Sequence, residues 1–248
     1  MKKFLSLSLI VLLCMGMLTG CGGGGTANNG DNAAAIKVGG TGPLTGGAAI
    51  YGIAVKQAAE MAVEEVNAKG GLQFELKYED DANDAEKAVN AFNNLIDWGM
   101  QISLGSVTST PGTATSDLSQ ENKIFTITPS GSSTKVIEGK DNVFQMCFTD
   151  PNQGTASAQY ISEQNLATKI AVIYKNDDVY STGIYEKFME KANELGLDVV
   201  SVSTFTTDSQ NDFSVQLTDA KNAGADLVFL PIYYEAASLI LTQANTMG

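Results

Sequence analysis

Histidine is absent from all 248 residues. That excludes Ser-His-Asp and Cys-His nucleophilic arrangements and every histidine-based metal site. Cysteine is scarce, with only Cys14, Cys21 and Cys147. Positive charge is in short supply too: 15 basic against 28 acidic residues give a net charge of −13. An acidic surface argues against nucleic acid and anionic lipid as partners. No helical Glu/Asp pair stands out as an acid/base couple. Residues 79–86, EDDANDAE, lack the Gly turn and distal Glu of a calcium loop. They read instead as the end of a strand followed by an Asn83-x-x-Glu86 helix cap. Residues 39–47, GGTGPLTGG, lack the Gly-Lys-Ser/Thr ending of a phosphate loop and read as a strand-to-helix turn. No metal or cofactor is expected.

No apolar run is long enough to span a bilayer. The longest, Phe4 to Leu18, falls short of the roughly 20 residues a spanning helix needs. It follows Lys2 and Lys3 and ends in LTGC at Cys21, the layout of a secretory signal over residues 1–20. LTGC resembles a bacterial lipobox, in which Cys21 is acylated and becomes the first mature residue. The Gly- and Asn-rich stretch 21–35 then reads as a flexible tether. With Cys14 in the signal and Cys21 acylated, Cys147 stands alone and no intrachain disulfide can form. Cys147, in VFQMCF, is expected as a small buried apolar residue.

From Ile36 onward, β-branched runs alternate with helical periods. Strands are expected over 36–40, 73–80, 101–105 and 123–129, with helices over 54–71, 84–98 and 111–121. Val55, Ala59, Ala62 and Val66 share one helical face, closed by Gly70 or Gly71. A second series has helices over 153–165, 181–195, 211–223 and 235–247, with strands over 169–175, 198–205 and 226–231. Such alternation predicts an α/β fold of two doubly wound, parallel-sheet lobes with a ligand cleft between them. The first lobe covers 36–150 and the second 151–248.

Hydroxyls crowd residues 105–118, GSVTSTPGTATSDL. The stretch lies where ligands bind an open parallel sheet, beyond a strand's carboxyl end. Pro111 suits the first helical position. The unpaired first-turn amides behind it, with Ser109 and Thr110, suit a small carboxylate. Residues 128–133, TPSGSS, offer carbonyls and hydroxyls at the neighbouring strand end, suited to an ammonium. Together they suggest a site for a zwitterion.

The motifs GPLTGGAAIYG, VNAKGG, YEDDAND, GSVTSTP, ITPSGSS, TDPNQG, NDDVYSTG and DLVFLPIYYEAA, in that order, resemble the extracytoplasmic solute-binding proteins of branched-chain amino acid ABC transporters. That is the Leu/Ile/Val-binding family, with the type I periplasmic-binding fold. The resemblance runs from Ile36 to Gly248. It implies that Ser109 binds the ligand carboxylate, with Thr110 beside it, and that the Ser130 carbonyl and Ser132 hydroxyl meet the ammonium. Tyr51 would line the side-chain pocket, and Tyr180 and Tyr233 would close over it; of Tyr233 and Tyr234 only one can face the cleft. The implied protein is a lipid-anchored monomer that captures an aliphatic or branched-chain amino acid by cleft closure and passes it to an ABC permease. A sensor of the same fold, for an amino acid or small amide, is the alternative; a lipid-anchored hydrolase has no residues to support it. Members of this family are longer than this chain. The resemblance therefore implies that the C-terminal part is missing, including an acidic residue that completes the ammonium site.

Overall fold

The computed structural model describes residues 34–247. The expected signal over 1–20, the acylated Cys21 and nearly all of the tether lie outside the described residues.

Two parallel sheets carry the described chain. The first has the order β2-β1-β3-β4-β5, built from β1 (Ile36–Gly42), β2 (Phe74–Asp80), β3 (Ile102–Ser106), β4 (Phe125–Thr128) and β5 (Val143–Gln145). Its crossovers are α1 (Ala49–Ala68), α2 (Ala85–Trp98) and α3 (Ser109–Glu121). The chain then leaves through α4 (Asp150–Gln164). The second sheet, β7-β6-β8, holds β6 (Ile170–Lys175), β7 (Val199–Phe205) and β8 (Leu227–Phe229), with α5 (Val179–Leu195), α6 (Ser214–Asn222) and α7 (Tyr234–Met247). β1 lies between β2 and β3, so the order reverses there. The crevice beyond the carboxyl ends of β1 and β3 is where such a sheet takes its ligand.

The elements follow the expected alternation, with local differences. β5 has no counterpart among the expected strands: three residues ending in a Gln give too short a pattern. The cap of α2 is Asp84, whose carboxylate accepts from the Lys87 amide at 2.8 Å, and not Asn83. Asn83 stands at φ +59°, left-handed backbone that Asn tolerates. α3 begins at Ser109, so Pro111 is its third residue, still within the turn whose amides need no helical partner.

α3 also explains why its apolar period is faint. Its buried face is Ser109, Pro111, Gly112, Thr115, Ser116 and Ser119, and hydroxyls fasten it to the sheet. Ser106 Oγ lies 2.7 Å from Thr41 Oγ1 and 3.1 Å from Thr115 Oγ1. Thr126 Oγ1 donates to Ser119 Oγ at 2.9 Å. Buried hydroxyls are tolerable only when paired in this way.

The second lobe has a conventional core of Ile170, Val172, Phe188 and Ala192 between sheet and helices. α4 meets α5 at Gly154, where a Cβ would strike the Ile184 carbonyl and lie 2.7 Å from the Phe188 amide. Both obstacles are backbone and cannot turn aside. Gly154→Ala is therefore expected to destabilise the protein by at least the ~1–3 kcal/mol typical of overpacking. Denaturant titration is the check, and an unchanged midpoint would show that the helices can part freely.

Candidate functional site

A cavity of about 330 Å³ opens between the two lobes. The first lobe contributes Tyr51 from α1, Val107 and Thr108 from the β3–α3 turn, and Pro129, Ser130 and Ser132 from the loop after β4. Cys147 and Phe148 come from the stretch leading to α4, Gln153 from α4 itself, and Tyr180 and Tyr233 from the second lobe. Five of the sequence-expected residues thus meet here: Tyr51, Ser130, Ser132, Tyr180 and Tyr233. A larger groove of about 580 Å³ lies between α1 and the first sheet. Its walls, among them Val55, Ala59, Val66, Phe74 and Met146, are apolar side chains with nothing to orient a zwitterion. The apolar face of α1 is therefore where expected but stands off the sheet, with Val66 exposed.

The tyrosines form one aromatic wall. Tyr180 and Tyr233 stack at 4.8 Å and 10°. Tyr51, across the cleft, lies 5.6 Å from Tyr233. Tyr234 is exposed and touches Tyr51 edge-on at 5.8 Å, so Tyr233 is the residue that faces the cavity. Burial pushes the Tyr180 phenol up to about 12, with the Asp150 charge as the next cause. Burial also raises Tyr233 well above its ordinary value, helped by Asp178 and opposed by the Ser109 amide.

Ser109 lies just behind the cavity lining. Its hydroxyl accepts the amides of Ser132 and Ser133, each at 3.1 Å. It thereby ties the loop after β4 to the start of α3 and holds both strand-end loops in register. The Ser130 hydroxyl donates to the Val107 carbonyl, a second tie between the same loops. The Ser130 carbonyl accepts no hydrogen bond among the described residues. Thr110 lies outside the lining: its hydroxyl donates to Asp178 Oδ1 at 2.9 Å. Cys147 is half-buried and part of the cavity wall, not a core residue. Burial also raises its thiol pKa.

Asp150 is the residue that sequence reasoning missed. It opens α4, is 1% exposed, and its amide donates to the Ser132 carbonyl at 2.9 Å. Neither of its carboxylate oxygens has a hydrogen-bond partner. Burial pushes its pKa up to about 6, and the nearby Asp178 adds to the rise. The Ser132 hydroxyl acts the other way, but its geometry falls short of a hydrogen bond. A buried carboxylate with two free oxygens beside Ser132, Tyr180 and Tyr233 is an unfilled demand for a cation. In the sequence, Asp150 sits in TDPNQG and looks like a helix-start acid beside a proline, so no local signal marks it out. The described residues hold no cluster of three metal-ligating groups, and none of their helices is long and apolar enough to cross a membrane.

A family model described as periplasmic binding protein matches residues 35–248. A Leu/Ile/Val-binding protein homologue of Brucella melitensis is 32% identical over 86% of this chain and 58% of its own length. A leucine-binding protein of Thermotoga maritima superposes with a TM-score of 0.79 at 30% identity, over 86% of this chain and 61% of that one. The branched-chain amino acid transporter substrate-binding protein LivJ of Streptococcus pneumoniae, solved in complex with isoleucine, gives 0.80 at 30% identity, over 86% and 62%. The chain thus spans about three fifths of the length of these relatives. The architecture is that of the type I periplasmic binding fold.

Proposed function

The chain belongs to the periplasmic binding protein family, a family of solute-binding proteins and not of enzymes, and on that premise we propose that its cleft captures an α-amino acid with an apolar side chain. The observation that carries this reading is the buried, unpartnered Asp150 carboxylate next to Ser132, just behind a cavity whose walls include tyrosine rings from both lobes. The ammonium would meet Asp150, the Ser130 carbonyl and the Ser132 hydroxyl. The carboxylate would meet the amides at the start of α3, the positive end of that helix, once Tyr233 moves aside from Ser109. Tyr51, Val107, Cys147 and Phe148 would hold the side chain. Branched-chain ligands would suit that apolar end, and the pneumococcal relative was solved in complex with isoleucine.

A ligand can favour closure only by touching both lobes. Tyr180 and Tyr233 from the second lobe, facing Tyr51 from the first, supply that coupling. In the cell the protein would work outside the cytoplasm as a monomer, held to the membrane by an acylated Cys21, and hand its ligand to an ABC permease.

Titration calorimetry of the full-length protein against leucine, isoleucine, valine, alanine and phenylalanine is the test. Saturable binding of at least one is expected. Failure of all five would sink the amino acid reading.

A further inference from the structure

We propose that Thr110 and Asp178 form a clasp between the lobes that favours closure whether or not a solute is bound. The proposal rests on the cleft being the solute site, but neither residue lines the cavity. Their side chains bond each other and not the ligand, so the clasp acts apart from the ligand's side-chain contacts.

The starts of α3 and α5 face each other across the cleft. Asp178 precedes α5 and caps it, its Oδ2 accepting the Ser181 amide at 3.0 Å. Its Oδ1 accepts the Thr110 hydroxyl at 2.9 Å. The same hydroxyl accepts the Val179 amide at 3.1 Å. One oxygen of the carboxylate therefore serves its own helix and the other serves the opposite lobe. Asp178 is buried, and a buried carboxylate needs donors on both oxygens. Closure supplies the second donor from Thr110, and opening leaves that oxygen to water. The Thr110 hydroxyl is used as both donor and acceptor, so it has no hydrogen to offer a ligand carboxylate. Its place is between the lobes.

The consequence is a shift in population. Apparent affinity scales with the fraction of molecules already in the binding-competent state. Weakening the clasp should raise the dissociation constants of all ligands by a common factor and leave their ranking unchanged. A residue touching the ligand would alter the ranking.

The test uses the full-length protein with Thr110→Val and Thr110→Ser. Small-angle X-ray scattering without ligand reads closure, and calorimetry with leucine and valine reads affinity. The valine variant is expected to have a larger radius of gyration and to bind both amino acids about tenfold more weakly, the factor for 1.4 kcal/mol. The serine variant, which keeps the hydroxyl, should match the parent in both. An unexpanded valine variant with an unchanged melting temperature would overturn the clasp, and so would equal expansion of the serine variant. If the parent binds no amino acid, the solute reading fails while scattering still decides the clasp. Should the valine variant not fold, Asp178→Asn, which keeps a good capping side chain, carries the same test: expansion supports the clasp and its absence refutes it.

Discussion

Replacing Asp150 by asparagine is expected to stabilise the ligand-free protein at pH 7.5 and to abolish most of its amino acid binding. The two effects have one cause, a buried carboxylate whose oxygens have no donor. Its pKa stands at about 6, above the ordinary value of 3.8, because burial disfavours the charge. A raised acid pKa favours the folded state fully below pH 3.8, and that contribution is lost as pH climbs through about 6. Asparagine carries no charge to bury. The variant should therefore melt higher than the parent at pH 7.5, with the gap narrowing toward pH 4. Binding moves the other way. An ammonium pairs with the ionised acid, and a hydrogen bond between charged groups contributes about 1.5–3 kcal/mol. Affinity should fall by roughly tenfold to a hundredfold, and the parent's own affinity should decline below pH 6 while the variant's stays flat. Melting curves and calorimetry over pH 4–8 check both halves. A variant that binds as well as its parent would remove Asp150 from the site.

Ser109→Ala is expected to unsettle the protein even with no ligand present. The Ser109 hydroxyl accepts two buried amides, from Ser132 and Ser133. Alanine would leave both without a partner, and each buried unsatisfied donor costs about 1–3 kcal/mol. Some relaxation of the loop will soften this, so about 2–3 kcal/mol of lost stability is expected, with weaker ligand binding following from the displaced loop. Denaturant titration of the ligand-free variant decides it. Unchanged stability with weakened binding would mean that the hydroxyl is free to serve the ligand directly, as the sequence alone suggested.

The layout was legible because α/β alternation is a strong pattern. β6, with the run IAVIYK, is buried over its first four residues. α2 buries Ala88, Ala91, Phe92 and Leu95 at helical spacing. The strand-end loops were legible too, because hydroxyls and glycines cluster there. What each hydroxyl does was not. Ser109, Thr110 and Ser130 look alike in sequence, yet one ties two loops, one reaches across the cleft and one pins a turn. Those roles depend on partners 23 or more residues away. Asp150 and Asp178 were missed for a related reason. A carboxylate at a helix start reads as an ordinary cap, and only burial and the count of its donors separate the two. The hydroxyl face of α3 hid in the same way, since polar packing leaves no apolar stripe.

The central claim is that this cleft reads both charges of an α-amino acid between the lobes. The most direct measurement extends the calorimetric titration to analogues of leucine: 4-methylpentanoate, which lacks the ammonium, and 3-methylbutylamine, which lacks the carboxylate. Leucine should bind at least a hundredfold more tightly than either, since each analogue leaves one buried partner unmet. Equal affinity for leucine and 4-methylpentanoate would show that Asp150 and the loop after β4 do not hold an ammonium, and would contradict the account.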